Sequence, residues 1–77
     1  MIEFTLTRQE MLEHARRRHY TDMAVNRITG WSDQQFEAIA EAVLDVLTVK
    51  PAVNHDDLLD EIVADALEIS VDDLLDN

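Results

Sequence analysis

Three histidines, two serines and seventeen carboxylates are the side chains of this sequence that could bind a ligand or move a proton. Their spacing argues against most of the chemistry they could do. His14 and His19 stand five residues apart, which turns them about 140° away from each other on a helix, so they cannot share a metal. His14 also sits at i, i+4 spacing from Glu10 and Arg18, the pattern of a surface pair. His55 beside Asp56 and Asp57 is accounted for by the first turn of a helix, where acids are favoured. Ser32 and Ser70 each precede a helical pattern and read as caps rather than nucleophiles. The pairs Asp56-Asp57 and Asp72-Asp73 lack the alternating ligands and central glycine of a calcium loop. The chain has no cysteine and one glycine. That excludes a disulfide scaffold, a thiolate zinc site, a cysteine nucleophile and a glycine-rich phosphate loop. The expectation is a protein that is not an enzyme, with no metal and no cofactor.

Charge is the stronger signal. Acids outnumber bases 17 to 6, for a formal net charge of −11. Residues 1–30 hold four acids and five arginines, whereas residues 31–77 hold thirteen acids and one lysine. Early acids of a helix are explained by its dipole, but Asp65, Glu68 and Asp76 fall late in their helices, where negative charge is unfavourable. Self-repulsion on this scale weakens a fold and suggests a use. The candidate partner-binding residues are Glu37, Glu41 and Asp45, followed by Asp56, Asp57, Asp60, Glu61, Asp65, Glu68, Asp72, Asp73 and Asp76. Arg16, Arg17 and Arg18 form a possible second contact, fanned over about 200° of a helix.

The elements that carry these residues announce themselves at their starts. Four times an apolar residue precedes a capping residue, with an acid or amide three positions later and then another apolar residue. Thr7 with Glu10, Ser32 with Gln35, Asn54 with Asp57 and Ser70 with Asp73 are the caps. Leu6–Met11, Trp31–Phe36, Val53–Leu58 and Ile69–Leu74 are the matching staples. The periodicity predicts a helix over 7–29, with Gly30 as its C′ residue and a break near Thr21-Asp22 where the apolar direction drifts. Met11, Leu12, Ala15, His19, Tyr20, Met23, Ala24 and Ile28 are its apolar positions. Further helices are expected over 33–48, 55–67 and 71–76, the second of them stopped by Pro51. Ile2, Phe4 and Leu6 alternate with polar residues, and read as an extended arm packed on the helices or a strand for another molecule. The fold class is therefore all-α: a small compact bundle of three to four helices plus a short C-terminal helix, with an extended N-terminal arm, in a single domain.

The stretch Ile62-Val63-Ala64-Asp65-Ala66-Leu67-Glu68-Ile69-Ser70-Val71-Asp72-Asp73-Leu74-Leu75 resembles the closing part of many helix-turn-helix repressor domains. Glu68 replaces the glycine usual at that turn, and the basic recognition helix of those repressors is absent. The resemblance implies a packing motif and carries no DNA-reading function.

The N-terminus has neither a basic region nor an apolar stretch of signal-peptide length, and no apolar run approaches a membrane span. The expected compartment is the cytoplasm. The expected function is non-catalytic binding of a basic protein partner, inhibiting or regulating it by occupying a basic surface such as a nucleic-acid groove. In size and charge the chain resembles small phage- and plasmid-encoded inhibitors, anti-CRISPR proteins among them. The alternatives are a structural or assembly role as a chaperone or homo-oligomer, and weak nucleic-acid binding through Arg16-Arg17-Arg18, which an acidic chain disfavours. Lysine at Asp60, Glu61 and Asp65 is expected to abolish partner binding with helicity intact.

Overall fold

The computed structural model describes residues 3–76. Five helices follow one another: α1 (Arg8–Arg17), α2 (Asp22–Thr29), α3 (Asp33–Val49), α4 (His55–Leu67) and α5 (Val71–Leu74). The all-α bundle expected from the sequence is the observed architecture. Helices α3 and α4 pack against each other, α1 packs on α2 and α3, and α5 packs on α4. The radius of gyration is 11.8 Å, close to the value of about 11.5 Å for a compact chain of this length.

Side-chain caps open the helices. Thr7 accepts the Glu10 N–H while Glu10 accepts the Thr7 N–H, both at 3.1 Å, a complete capping box. At α3 the Gln35 side chain takes the Ser32 N–H at 3.0 Å. Asn54 accepts the Asp56 and Asp57 N–H groups, and Ser70 accepts that of Asp73. A fifth cap lies where the helical pattern drifts: Thr21 accepts the Ala24 N–H at 3.3 Å, opening α2.

Helices α1 and α4 end in the same way. In α1 the Tyr20 N–H returns to Ala15 O and the His19 N–H to Arg16 O. In α4 the Ile69 N–H returns to Ala64 O and the Glu68 N–H to Asp65 O. These are Schellman motifs, with His19 (φ 58°) and Glu68 (φ 60°) in the left-handed conformation that usually calls for glycine. The sole glycine does not use that freedom. Gly30 closes α2 at φ −81°, ψ −6°, so the expected C′ role is corrected: its backbone is right-handed.

The core runs through every helix: Met11 and Ala15, Ala24 and Ile28, Phe36, Ile39, Val43 and Leu47, Leu58, Leu59, Val63, Ala64 and Leu67, and Leu74. Trp31 packs edge-on against Phe36 with ring centroids 5.8 Å apart, the staple expected at the entry to α3. Two apolar assignments are corrected. Met23 is 48% exposed, and His19 is exposed because the Schellman turn swings it outward. Phe4 and Leu6 lie half-buried on the core in an extended arm, while Ile2 falls outside the described residues. The expected end of the last helix at 76 is also corrected. Leu75 leaves α5 and forms an antiparallel bridge with Tyr20, flanked by Thr21 N–H to Leu74 O and Asp76 N–H to His19 O.

Arg8 fastens the first helix to the α2–α3 corner. Its guanidinium donates to Thr29 O at 2.6 Å and Trp31 O at 2.7 Å, and lies 5.2 Å from the centroid of the Phe36 ring. A cation on the last carbonyls of α2 also complements that helix's dipole.

Candidate functional site

Asp60 is the centre of the most organised chemistry in the molecule. It is 1% exposed, on the core-facing stripe of α4 with Val63, Ala64 and Leu67. Its Oδ1 accepts the Tyr20 hydroxyl at 2.6 Å and faces His14 Nε2 at 2.8 Å. Its Oδ2 receives Arg18 through Nε at 2.9 Å and a second guanidinium nitrogen at 2.8 Å. The His19 turn brings this set together: by reversing the chain after α1 it returns Tyr20 to the Asp60 carboxylate that His14 of α1 and Arg18 at its C-cap also face. The Tyr20 ring stands edge-on to His14, 5.6 Å between centroids.

His14, Tyr20 and Arg18 each hydrogen-bond the one carboxylate, and no buried side-chain polar atom among the described residues lacks a partner. Burial, and then the hydrogen bond to Asp60, push the Tyr20 phenol well above its ordinary range. The hydrogen bond to Asp60, with its charge next, raises the Arg18 guanidinium above its already high value. A buried carboxylate bonded in this way to His14, Arg18 and Tyr20 ties α4 to α1 and to the turn that follows it.

This cluster corrects three expectations. Asp60 is not part of an acidic surface. His14 is 3% exposed rather than a surface pair partner. Arg18 is tied to Asp60 and, at 3.1 Å, to Asp57, so it is not free for an outside contact. Lysine at Asp60 would therefore dismantle the interior, and cannot test surface binding. The signal was present in the spacing: Asp60 precedes Val63, Ala64 and Leu67 by three, four and seven residues, and His14 follows Met11 by three.

The remaining candidate residues are exposed. Asp56 and Asp57 open α4 and face Arg17 (3.7 Å) and Arg18 (3.1 Å) respectively. Glu37, Glu41 and Asp45 line an outward stripe of α3, and Glu61, Asp65 and Glu68 an outward stripe of α4. Asp72, Asp73 and Asp76 are exposed at the C-terminal end. None of these nine pairs with a cation among the described residues. Arg16 is exposed and unpaired among the described residues, so the three consecutive arginines have three different environments.

Among the described residues no three histidine, aspartate or glutamate side chains converge to hold a metal ion. No helix is long and apolar enough to cross a membrane. What fold and site define together is a small all-α bundle locked by a buried Asp–His–Tyr–Arg cluster and carrying an acidic exterior. Comparison with protein-family models, curated proteins and solved structures finds no match to this chain.

Proposed function

We propose that the protein is a non-catalytic binding module whose acidic exterior on α3, α4 and α5 engages a basic surface of a partner protein. The observation that supports this reading is the division of charge. Asp56, Asp57 and Asp60 are answered by Arg17 and Arg18 at the end of α1, while nine exposed carboxylates from Glu37 to Asp76 face no cation of their own chain among the described residues. Such a surface favours rapid, salt-sensitive association with a basic partner. A nucleic-acid groove is the basic surface best matched by rows of carboxylates, and occupying it would inhibit the partner, as small phage-encoded inhibitors do. Cytoplasm is the compartment this reading assumes. Self-assembly through the arginine cluster and direct nucleic-acid binding are weaker readings, because Arg18 is locked internally and Arg17 already faces Asp56.

The test is capture of partners from a host lysate by the tagged chain and by its Glu61→Lys, Asp65→Lys, Glu68→Lys variant, with low- and high-salt washes. A nucleic-acid-handling protein held by the wild type, released by salt and lost by the variant is the expected result. Retention indifferent to both salt and charge reversal would overturn the proposal.

A further inference from the structure

We propose that the seam between α3 and α4 docks one amphipathic helix of the partner protein, with apolar side chains along the seam and lysines or arginines to either side. This inference rests on the acidic-module reading and names the surface the module uses and the chemistry it takes.

Helix α3 buries one face and leaves a second, mostly apolar side partly uncovered. At about 100° per residue, Gln35, Ala38, Ala42, Val46 and Val49 fall within about 80° of arc. The core stripe of Phe36, Val43 and Leu47 lies to one side of them. Two clefts follow this second stripe. One, of about 160 Å³, opens between α3 and α4, where Trp31, Ala38 and Ile39 meet Ala66. The other, of about 310 Å³, is lined by Asp45, Val46, Val49 and Lys50. Val49 is 76% exposed, more than any other large apolar side chain among the described residues.

Acids border this apolar strip on both sides. Asp45 follows on the outer side of α3, and Asp65 and Glu61 on the outer side of α4, beyond Ala66 and Ile62. All three are exposed, and all three belong to the carboxylates that face no cation of their own chain among the described residues. The seam therefore lies between the two acidic stripes of α3 and α4. An apolar centre inside a charged rim is the anatomy of a protein interface.

Charge and shape select the guest. From Gln35 to Val49 the stripe rises about 21 Å, or about four turns of a helix. A helix laid along it can set apolar side chains at i, i+4, i+7 and i+11 into the seam. Lysines or arginines flanking those positions then meet Asp45 on one side and Asp65 and Glu61 on the other, with their methylene stems on the apolar floor. A second copy of this chain brings a formal charge of −11 to the same surface, and nucleic acid or an anionic membrane brings phosphates, so each is repelled. Lys50 closes the far end of the seam, so a cationic guest stops short of it.

The test titrates two synthetic peptides of the same leucine and lysine content into the full chain. In one the leucines stand at i, i+4, i+7 and i+11, and in the other they are spread around the helix. Fluorescence of Trp31, the sole tryptophan, and NMR of the alanine and valine methyl groups report binding. The first peptide is expected to bind about tenfold more tightly than the second, with shifts centred on Ala38, Ala42, Val49 and Ala66. Ala38→Gln, at an exposed position, puts a polar side chain into the cleft and is expected to weaken binding about tenfold. Asp45→Asn with Asp65→Asn is expected to weaken it several-fold and to flatten its salt dependence. Equal affinity for the two peptides, or full affinity in Ala38→Gln, would overturn the proposal. The acidic module still stands in that case if its captured partner is lost by the lysine variant at 61, 65 and 68. If the first peptide docks as described but no basic partner is captured, the module reading fails alone.

Discussion

Tyr20 donates its hydroxyl to Asp60 across 40 residues of sequence, at 2.6 Å. This bond joins the α1–α2 turn to the inner face of α4. The Tyr20 backbone also forms the bridge with Leu75, so three separate segments meet at one residue. Without Asp60, the Tyr20 hydroxyl and His14 Nε2 would be buried without a partner.

Asp60→Ala is expected to lose about 3–5 kcal/mol, because it strands buried partners. A domain of this length has about 4–12 kcal/mol in total. Tyr20→Phe leaves the carboxylate its other donors and should lose about 1–2 kcal/mol. Urea unfolding followed by circular dichroism measures both. An Asp60→Ala midpoint equal to the wild type would refute the role assigned to the cluster.

Alkaline pH should weaken the fold through Tyr20. Its folded-state pKa is raised, first by burial and then by Asp60, from an ordinary 10.0. The folded chain thus keeps a proton that the unfolded chain releases. This contribution is complete below about pH 10 and declines as pH rises above it, by at most about 1.4 kcal/mol per pH unit. The difference in stability between wild type and Tyr20→Phe, measured against pH, should shrink over that window. A constant difference would contradict the assignment.

The two left-handed residues and the one glycine are mismatched, which makes three substitutions informative. His19→Gly and Glu68→Gly each relieve a non-glycine left-handed residue and should stabilise by about 1 kcal/mol. Gly30→Ala should also stabilise, by about 0.4–1 kcal/mol. Its backbone is right-handed and a Cβ there would meet only Arg27 O at an ordinary 3.5 Å. Thermal melts of the three variants check the set, and a lowered midpoint for Gly30→Ala would show that the α2–α3 corner needs its glycine.

Charge reversal on α4 should stabilise while it abolishes binding. Glu61→Lys, Asp65→Lys and Glu68→Lys together relieve repulsion on an exposed stripe and place a cation at the C-terminal end of α4. The melting temperature is expected to rise at low salt, with the gain shrinking as salt is added. A gain independent of salt would assign the effect to something other than charge.

Arg8→Met should loosen the α2–α3 corner. It removes two hydrogen bonds to Thr29 O and Trp31 O but keeps an apolar stem over Phe36. The expected loss is about 1 kcal/mol, since the side chain is partly exposed. Hydrogen exchange should quicken in α2 before α4, and uniform quickening would argue against a local clamp.

Helix starts were legible in the sequence because caps are local. Thr7, Asn54 and Ser70 accept backbone N–H groups two or three residues away, Gln35 reaches back three residues to the Ser32 N–H, and each staple reaches only five residues along the chain. The α1–α2 break was legible for the same reason, as a drift of the apolar stripe past a threonine that can cap. The excess of acid over base in residues 31–77 is likewise a property of composition, readable before any fold. Which acids stay outside is not. Asp60 and Glu61 are adjacent residues of one type of chemistry, yet one is sealed and the other exposed. The difference arises because the α1 turn delivers His14, Arg18 and Tyr20 to one side of α4, 40 to 46 residues away for the bonds they make to Asp60. Burying a carboxylate is favourable only when donors converge on it in three dimensions. That convergence depends on how α1 and α4 dock.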